Sequence, residues 1–108
     1  MIYELRVYRP VPGRMSHLIA RFRDHTLAIW ARHGIQQLGF WTTLIGKSSN
    51  ELTYILVWKT LAEREERWAA FIADPAWHRA EQESERDGPI VDTISSQLLT
   101  ATEFSALQ

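Results

Sequence analysis

The apolar residues of this chain change their spacing in a fixed order, and that order leaves few folds open to it. From Ile2 to Tyr8 the residues alternate, with Tyr3, Leu5 and Val7 on one side and Glu4, Arg6 and Tyr8 on the other, the period of a strand. Pro10-Val11-Pro12-Gly13 ends the ladder, because proline lacks a donor and glycine supplies turn geometry. Met15, Leu18, Ile19, Phe22, Thr26, Ile29, Trp30 and His33 then recur at intervals of about three to four, which predicts one helix ending near Gly34. Two β-favouring runs follow, Leu38 to Ile45 and Leu52 to Trp58, and the polar stretch from Gly46 to Glu51 between them predicts an antiparallel hairpin. Leu61 to Ala73 carries Leu61, Glu65, Trp68, Phe71 and Ile72 along one side, the pattern of an amphipathic helix. Asp74-Pro75 reads as a helix restart, since aspartate caps well and proline suits the first helical position, so a short helix is expected from Pro75 to about Glu85. Asp87-Gly88-Pro89 stops it, and Thr93 to Thr100 supplies the last strand.

Strand, helix, strand, strand, helix, strand is the order of a ferredoxin-like α+β fold, in which an antiparallel sheet of four strands carries its helices on one face. With 108 residues the chain matches one domain, spanning 1–108. That architecture poses a covering problem. Tyr8, Phe40, Trp41, Tyr54 and Trp58 together exceed what two helices are expected to cover, so part of this set should lie on the second sheet face. A second copy of the chain is the simplest cover, which predicts a homodimer with sheets facing each other and a cavity between them lined by Glu4, Arg6 and Tyr8.

Charge and composition remove several function classes. Twelve Lys+Arg against thirteen Asp+Glu give a net charge of -1 with the signs interspersed, so no nucleic-acid partner is expected. No apolar run approaches the roughly 20 residues of a membrane span and no signal-peptide apolar region opens the chain, which predicts no membrane partner and a cytoplasmic location. The lack of cysteine removes disulfides, thiolate nucleophiles and thiolate metal sites. The four histidines are too dispersed for a local metal site, and neither a phosphate-binding glycine loop nor a serine nucleophile elbow occurs.

Several segments, in order, resemble the NIPSNAP family: Ile2-Tyr3-Glu4-Leu5-Arg6-Val7-Tyr8, the Pro12-Gly13 turn, His33-Gly34, Gly39-Phe40-Trp41-Thr42-Thr43 through Gly46, Val57-Trp58, Glu63-Arg64 and Asp74-Pro75-Ala76-Trp77. The resemblance spans nearly the whole chain. It implies a ferredoxin-like protomer of the dimeric α/β-barrel superfamily, and it implies a scaffold more than a reaction. Trp68 and His78 are also similar to the haem-degrading branch of that superfamily. The iron-ligand position of that branch would fall near Arg79 or Ala80, however, and Arg6 stands where an asparagine would, so no cofactor is expected.

The candidate ligand-binding residues are Glu4, Arg6, Tyr8, His33, Trp41 and Tyr54. Alternation puts an acid, a guanidinium and a phenol on one strand face, where Arg6 suits a carboxylate or enolate; the commoner role of Glu4 and Arg6 is to pair with each other. His33 and Tyr54 are the candidates for moving a proton, although a histidine at a helix end more often caps or packs. His25 lies near the His33 stripe and is a candidate to share its pocket, whereas His17 points away from it. A small hydrophobic or aromatic metabolite held between sheet and helices is one expected function. A cofactor-free monooxygenase- or isomerase-like enzyme and a non-catalytic dimeric scaffold are the others.

Overall fold

The computed structural model describes residues 1–108. Its elements are β1 (Ile2–Pro10), α1 (Met15–Arg21), a π-helical turn (Phe22–Thr26), α2 (Leu27–Arg32), β2 (Gln36–Thr42), β3 (Leu52–Trp58), α3 (Leu61–Ala73), α4 (Pro75–Ser84) and β4 (Val91–Thr100). The strands form one antiparallel sheet in the order β2-β3-β1-β4, the ferredoxin-like arrangement. All helices lie on one face, and the molecule is only 19 Å thick along its shortest axis, a sheet and one layer of helix.

Local chemistry accounts for the helix ends. Thr60 caps α3 by accepting from the Glu63 amide at 3.0 Å, and Asp74 caps α4 by accepting from the Ala76 amide at 2.8 Å with Pro75 in the first turn. Gly34 ends α2 at φ +69°, a conformation other residues resist, and its carbonyl accepts from Arg67 of α3 at 2.6 Å. The first helix departs from the single regular helix of its apolar spacing: between Arg21 and Leu27 the winding widens to a π turn. There the Thr26 hydroxyl donates to the Arg21 carbonyl at 3.3 Å.

Two strands also differ from expectation. Leu44 and Ile45 are fully exposed and outside β2, because β3 begins at Leu52 opposite Thr42 and leaves nothing for them to pair with. In β2 the register skips Leu38, a bulge at the edge of the sheet. Pro10 remains in β1 at its last position, pairing with Val91 across a register shift while its carbonyl accepts from the Asn50 side chain at 2.9 Å.

The covering problem resolves differently from the sequence reading. Tyr8, Tyr54 and Trp58 are buried under the helices with Leu18, Phe22, Ile29, Trp30 and Phe71, and Phe40 packs against the same core. Among the five large residues only Trp41, half exposed and paired with Thr53, belongs to the other face. Glu4, Arg6 and Tyr8 are likewise buried on the helix side, so the cavity expected between facing sheets is not theirs. Alternation tells which residues share a face but not which face the helices take; here Glu4, Arg6 and Tyr8 share theirs with Leu52, Tyr54, Leu56 and Trp58 of β3, whose burial drives the covering, and the two charges are tolerated there because they are hydrogen-bonded. The open face instead carries Tyr3, Leu5 and Val7 beside Thr53, Ile55 and Val57 and, on β4, Ser95, Gln97 and Leu99.

Candidate functional site

The strand period sets the Arg6 side chain between Tyr54 on β3 and Ser96 on β4. Its Nε donates to the Tyr54 hydroxyl at 2.7 Å, one terminal nitrogen donates to Glu4 at 2.9 Å, and the other lies 3.4 Å from the Tyr8 hydroxyl. The guanidinium is stacked over the Trp68 ring at 4.7 Å, a cation–π contact from α3. Burial by itself would lower the Arg6 pKa, but the electrostatic pull of the Tyr54 and Tyr8 oxygens and the hydrogen bonds to Tyr8 and Glu4 raise it well above its usual range. Tyr54 is raised as well, by burial first and by Tyr8, against the opposing pull of Arg6. A phenol held protonated in this way is a hydrogen-bond donor at neutral pH, not a base.

Glu4 anchors the network from behind. Its carboxylate, fully buried, accepts from Arg64 twice (2.7 and 3.2 Å), from Arg6, from the Trp58 indole at 3.0 Å and from the Ser96 hydroxyl at 2.7 Å. Burial pushes its pKa up, yet the hydrogen bonds from Arg64, Ser96, Arg6 and Trp58 outweigh it and hold the group at about 2. One buried anion therefore faces two arginines, and the cluster carries an excess positive charge.

Arg6 and Tyr8 open onto a cleft of about 270 Å³ between sheet and helices. Its walls are Phe22, Trp30, Trp68, Phe71 and Trp77, and towards α4 it is bounded by Arg21, Glu81 and Glu85, with Arg21 3.5 Å from Glu85. Trp30 lines this cleft with its indole N–H buried and without a hydrogen-bond partner. The π turn places Phe22 and Thr26 on the cleft wall beside Arg21, the last residue of α1.

The structure thus brings together Glu4, Arg6, Tyr8 and Tyr54 and leaves His33 and Trp41 elsewhere. His33 bonds Asp74 at 2.8 Å, tying the end of α2 to the α3–α4 junction, where Arg32 also reaches the same carboxylate at 3.3 Å. That Asp74 is held below its usual pKa, chiefly by His33 and by the Ala76 amide. Trp41 sits at the rim of a separate apolar groove. His25 is exposed on the π turn, away from His33, and His17 and His78 are exposed too. Sequence reasoning missed Arg64 and Ser96 as partners of Glu4. Arg64 does fall four before Trp68 and seven before Phe71, the helical spacing of one face, whereas Ser96 becomes a partner only through strand register. No group of three or more His, Asp or Glu side chains is placed to hold a metal ion, and no helix is long and apolar enough to cross a membrane.

The profile of the NIPSNAP family matches residues 3–106. Among solved structures, the fold is similar to a NIPSNAP family protein with unknown function from Agrobacterium tumefaciens, 28% identical at a TM-score of 0.86 over 100% of this chain and 94% of that one. A second NIPSNAP family protein from the same organism is 25% identical at 0.86, covering 99% and 98%. An uncharacterized NIPSNAP domain protein from Burkholderia xenovorans, 21% identical at 0.83 over 97% and 98%, shares the fold. A search of curated proteins finds no match.

Proposed function

The chain belongs to the NIPSNAP family, and from that premise we propose that it acts as a homodimer, each protomer holding a small aromatic carboxylate in the cleft between sheet and helices. The observation that carries this reading is the unspent donor capacity of a buried, positively charged floor. Three of the five N–H donors of an arginine are engaged at Arg6. The Glu4 carboxylate is shared with Arg64, and the Trp30 N–H is unpaired. The N–H donors that Arg6 does not spend on its neighbours are available to a carboxylate, a charge-assisted and often bidentate pairing. The aromatic walls suit a ring, and about 270 Å³ sits near the low end of small-molecule pockets, so the ligand is a small one. Twofold pairing is supported by the apolar open sheet face and by the exposed Leu99 that edge strand β4 adds to it. The reading includes a cytoplasmic setting, where a chain without cysteine forgoes no disulfide.

Trp30, Trp68 and Trp77 line the cleft, so tryptophan fluorescence reports its occupancy directly. Titration with phenylacetate is expected to give a saturable change that phenylacetamide, its neutral counterpart, gives only at about tenfold higher concentration or more. Arg6→Met, which keeps an apolar stem but no charge, should erase that preference. Equal affinity for acid and amide in the unaltered protein, or no saturable change with either, overturns the reading.

A further inference from the structure

Phe22 lies between two separate volumes. On one side is the Arg6 cleft; on the other is an open apolar groove of about 310 Å³, lined by Ile19, Leu27, Phe40 and Leu52, and Phe22 belongs to the lining of both. Its ring packs edge-on to Tyr8 (5.5 Å), Tyr54 (5.4 Å) and Trp30 (5.7 Å) and equally to Phe40 of the groove (5.1 Å). Phe22, itself 7% exposed, is thus the side chain shared by the charged cleft and by a groove that offers a hydrocarbon chain a place to go, and it stands there packed with Tyr54 and Phe40. It is carried by the π turn, the one irregular winding in the first helix, which sets where the ring stands relative to Arg21 and Thr26 on the cleft wall.

We propose that Phe22 is the specificity-determining wall of the cleft: it limits the ligand to a compact acid anchored at Arg6, and its removal joins cleft and groove into one site for an amphipathic acid with a long apolar chain. This rests on the carboxylate reading given above and deepens it by fixing the ligand's length. The ring cluster around Phe22 is tight, so the wall does not yield to a longer ligand without loss of packing.

The test compares phenylacetate with phenyloctanoate by tryptophan fluorescence in the unaltered protein and in Phe22→Leu and Phe22→Ala. The unaltered protein is expected to bind the short acid at least about tenfold more tightly than the long one. In the variants that ratio should collapse or invert, with the short acid still bound. Phe22→Leu keeps an apolar side chain in the cluster and decides the matter should Phe22→Ala fail to fold by circular dichroism. Equal affinity for both acids in the unaltered protein, or an unchanged ratio in a folded variant, overturns the wall while leaving the carboxylate reading intact. Binding of neither acid overturns both.

Discussion

At the scale of single residues, Glu4 shows how a charge can stand at the centre of a core. Five hydrogen bonds from Arg64, Arg6, Trp58 and Ser96 saturate a carboxylate that is completely buried. Because the folded group titrates at about 2 against its usual 4.5, the folded state binds its proton less readily than the unfolded chain. Its contribution, on the order of 3 kcal/mol, is therefore fully present above about pH 4.5 and is lost as pH falls from there through about 2. Urea midpoints measured between pH 7 and pH 2 should drop through that window, and Glu4→Gln should be weaker at neutral pH but flatter across it. A variant with the same slope would place the acid sensitivity elsewhere. The alternation Glu4-Arg6-Tyr8 was legible as a shared face, and so was the pairing of Glu4 with Arg6. What the chain's own pattern could not reveal was that Arg64 and Ser96 close around the same carboxylate, since those meetings depend on helix docking and on register, which are set by the whole core.

At the scale of elements, helix existence and strand existence follow from period and caps, and the departures all sit where tertiary structure overrides local pattern. Leu44 and Ile45 favour a strand by residue type and yet have no partner strand beside them. The π turn leaves no mark in the apolar spacing, because a single extra residue per turn shifts a stripe without breaking it. His33 shows the same limit from another side: its position on the apolar stripe was legible, but its partner is Asp74 of the distant α4 cap and not the cleft. The end of α2, by contrast, is written in Gly34. A Cβ there would enter a left-handed backbone at φ +69° and stand 2.8 Å from an Arg67 nitrogen. Gly34→Ala is expected to cost about 1–2 kcal/mol, most of it backbone strain. Arg67→Ala should lower stability less, and in that background the Gly34→Ala cost should shrink towards strain alone. Denaturation midpoints of the two single variants and the double variant give the coupling, and strict additivity would mean that Arg67 swings clear at no cost.

At the scale of the whole molecule, the fold leaves one sheet face without a covering layer. Two-layer domains bury one face of a sheet, and a second sheet packs about 10 Å away when it supplies the other. Here the open face is apolar at its centre, where Leu5 stands between Ile55 and Gln97 with Val7 and Tyr3 on either side, while the outer strand β4 contributes Ser95 and Gln97. A face of that kind, apolar in the middle and polar towards one edge, matches the anatomy of an interface. Leu5 is also turned away from Arg6, so a change there reaches the assembly without touching the cleft. Leu5→Lys places a charge at the centre of the face, and in the proposed homodimer twofold symmetry would place two of them in the interface, each desolvated without a partner. Light scattering coupled to size exclusion should therefore show the unaltered chain at twice 12.6 kDa and the variant at 12.6 kDa, with the circular dichroism of the folded protomer kept. An undiminished dimer in Leu5→Lys would move the interface to another surface, and a monomer in the unaltered chain would leave the open face to a different partner.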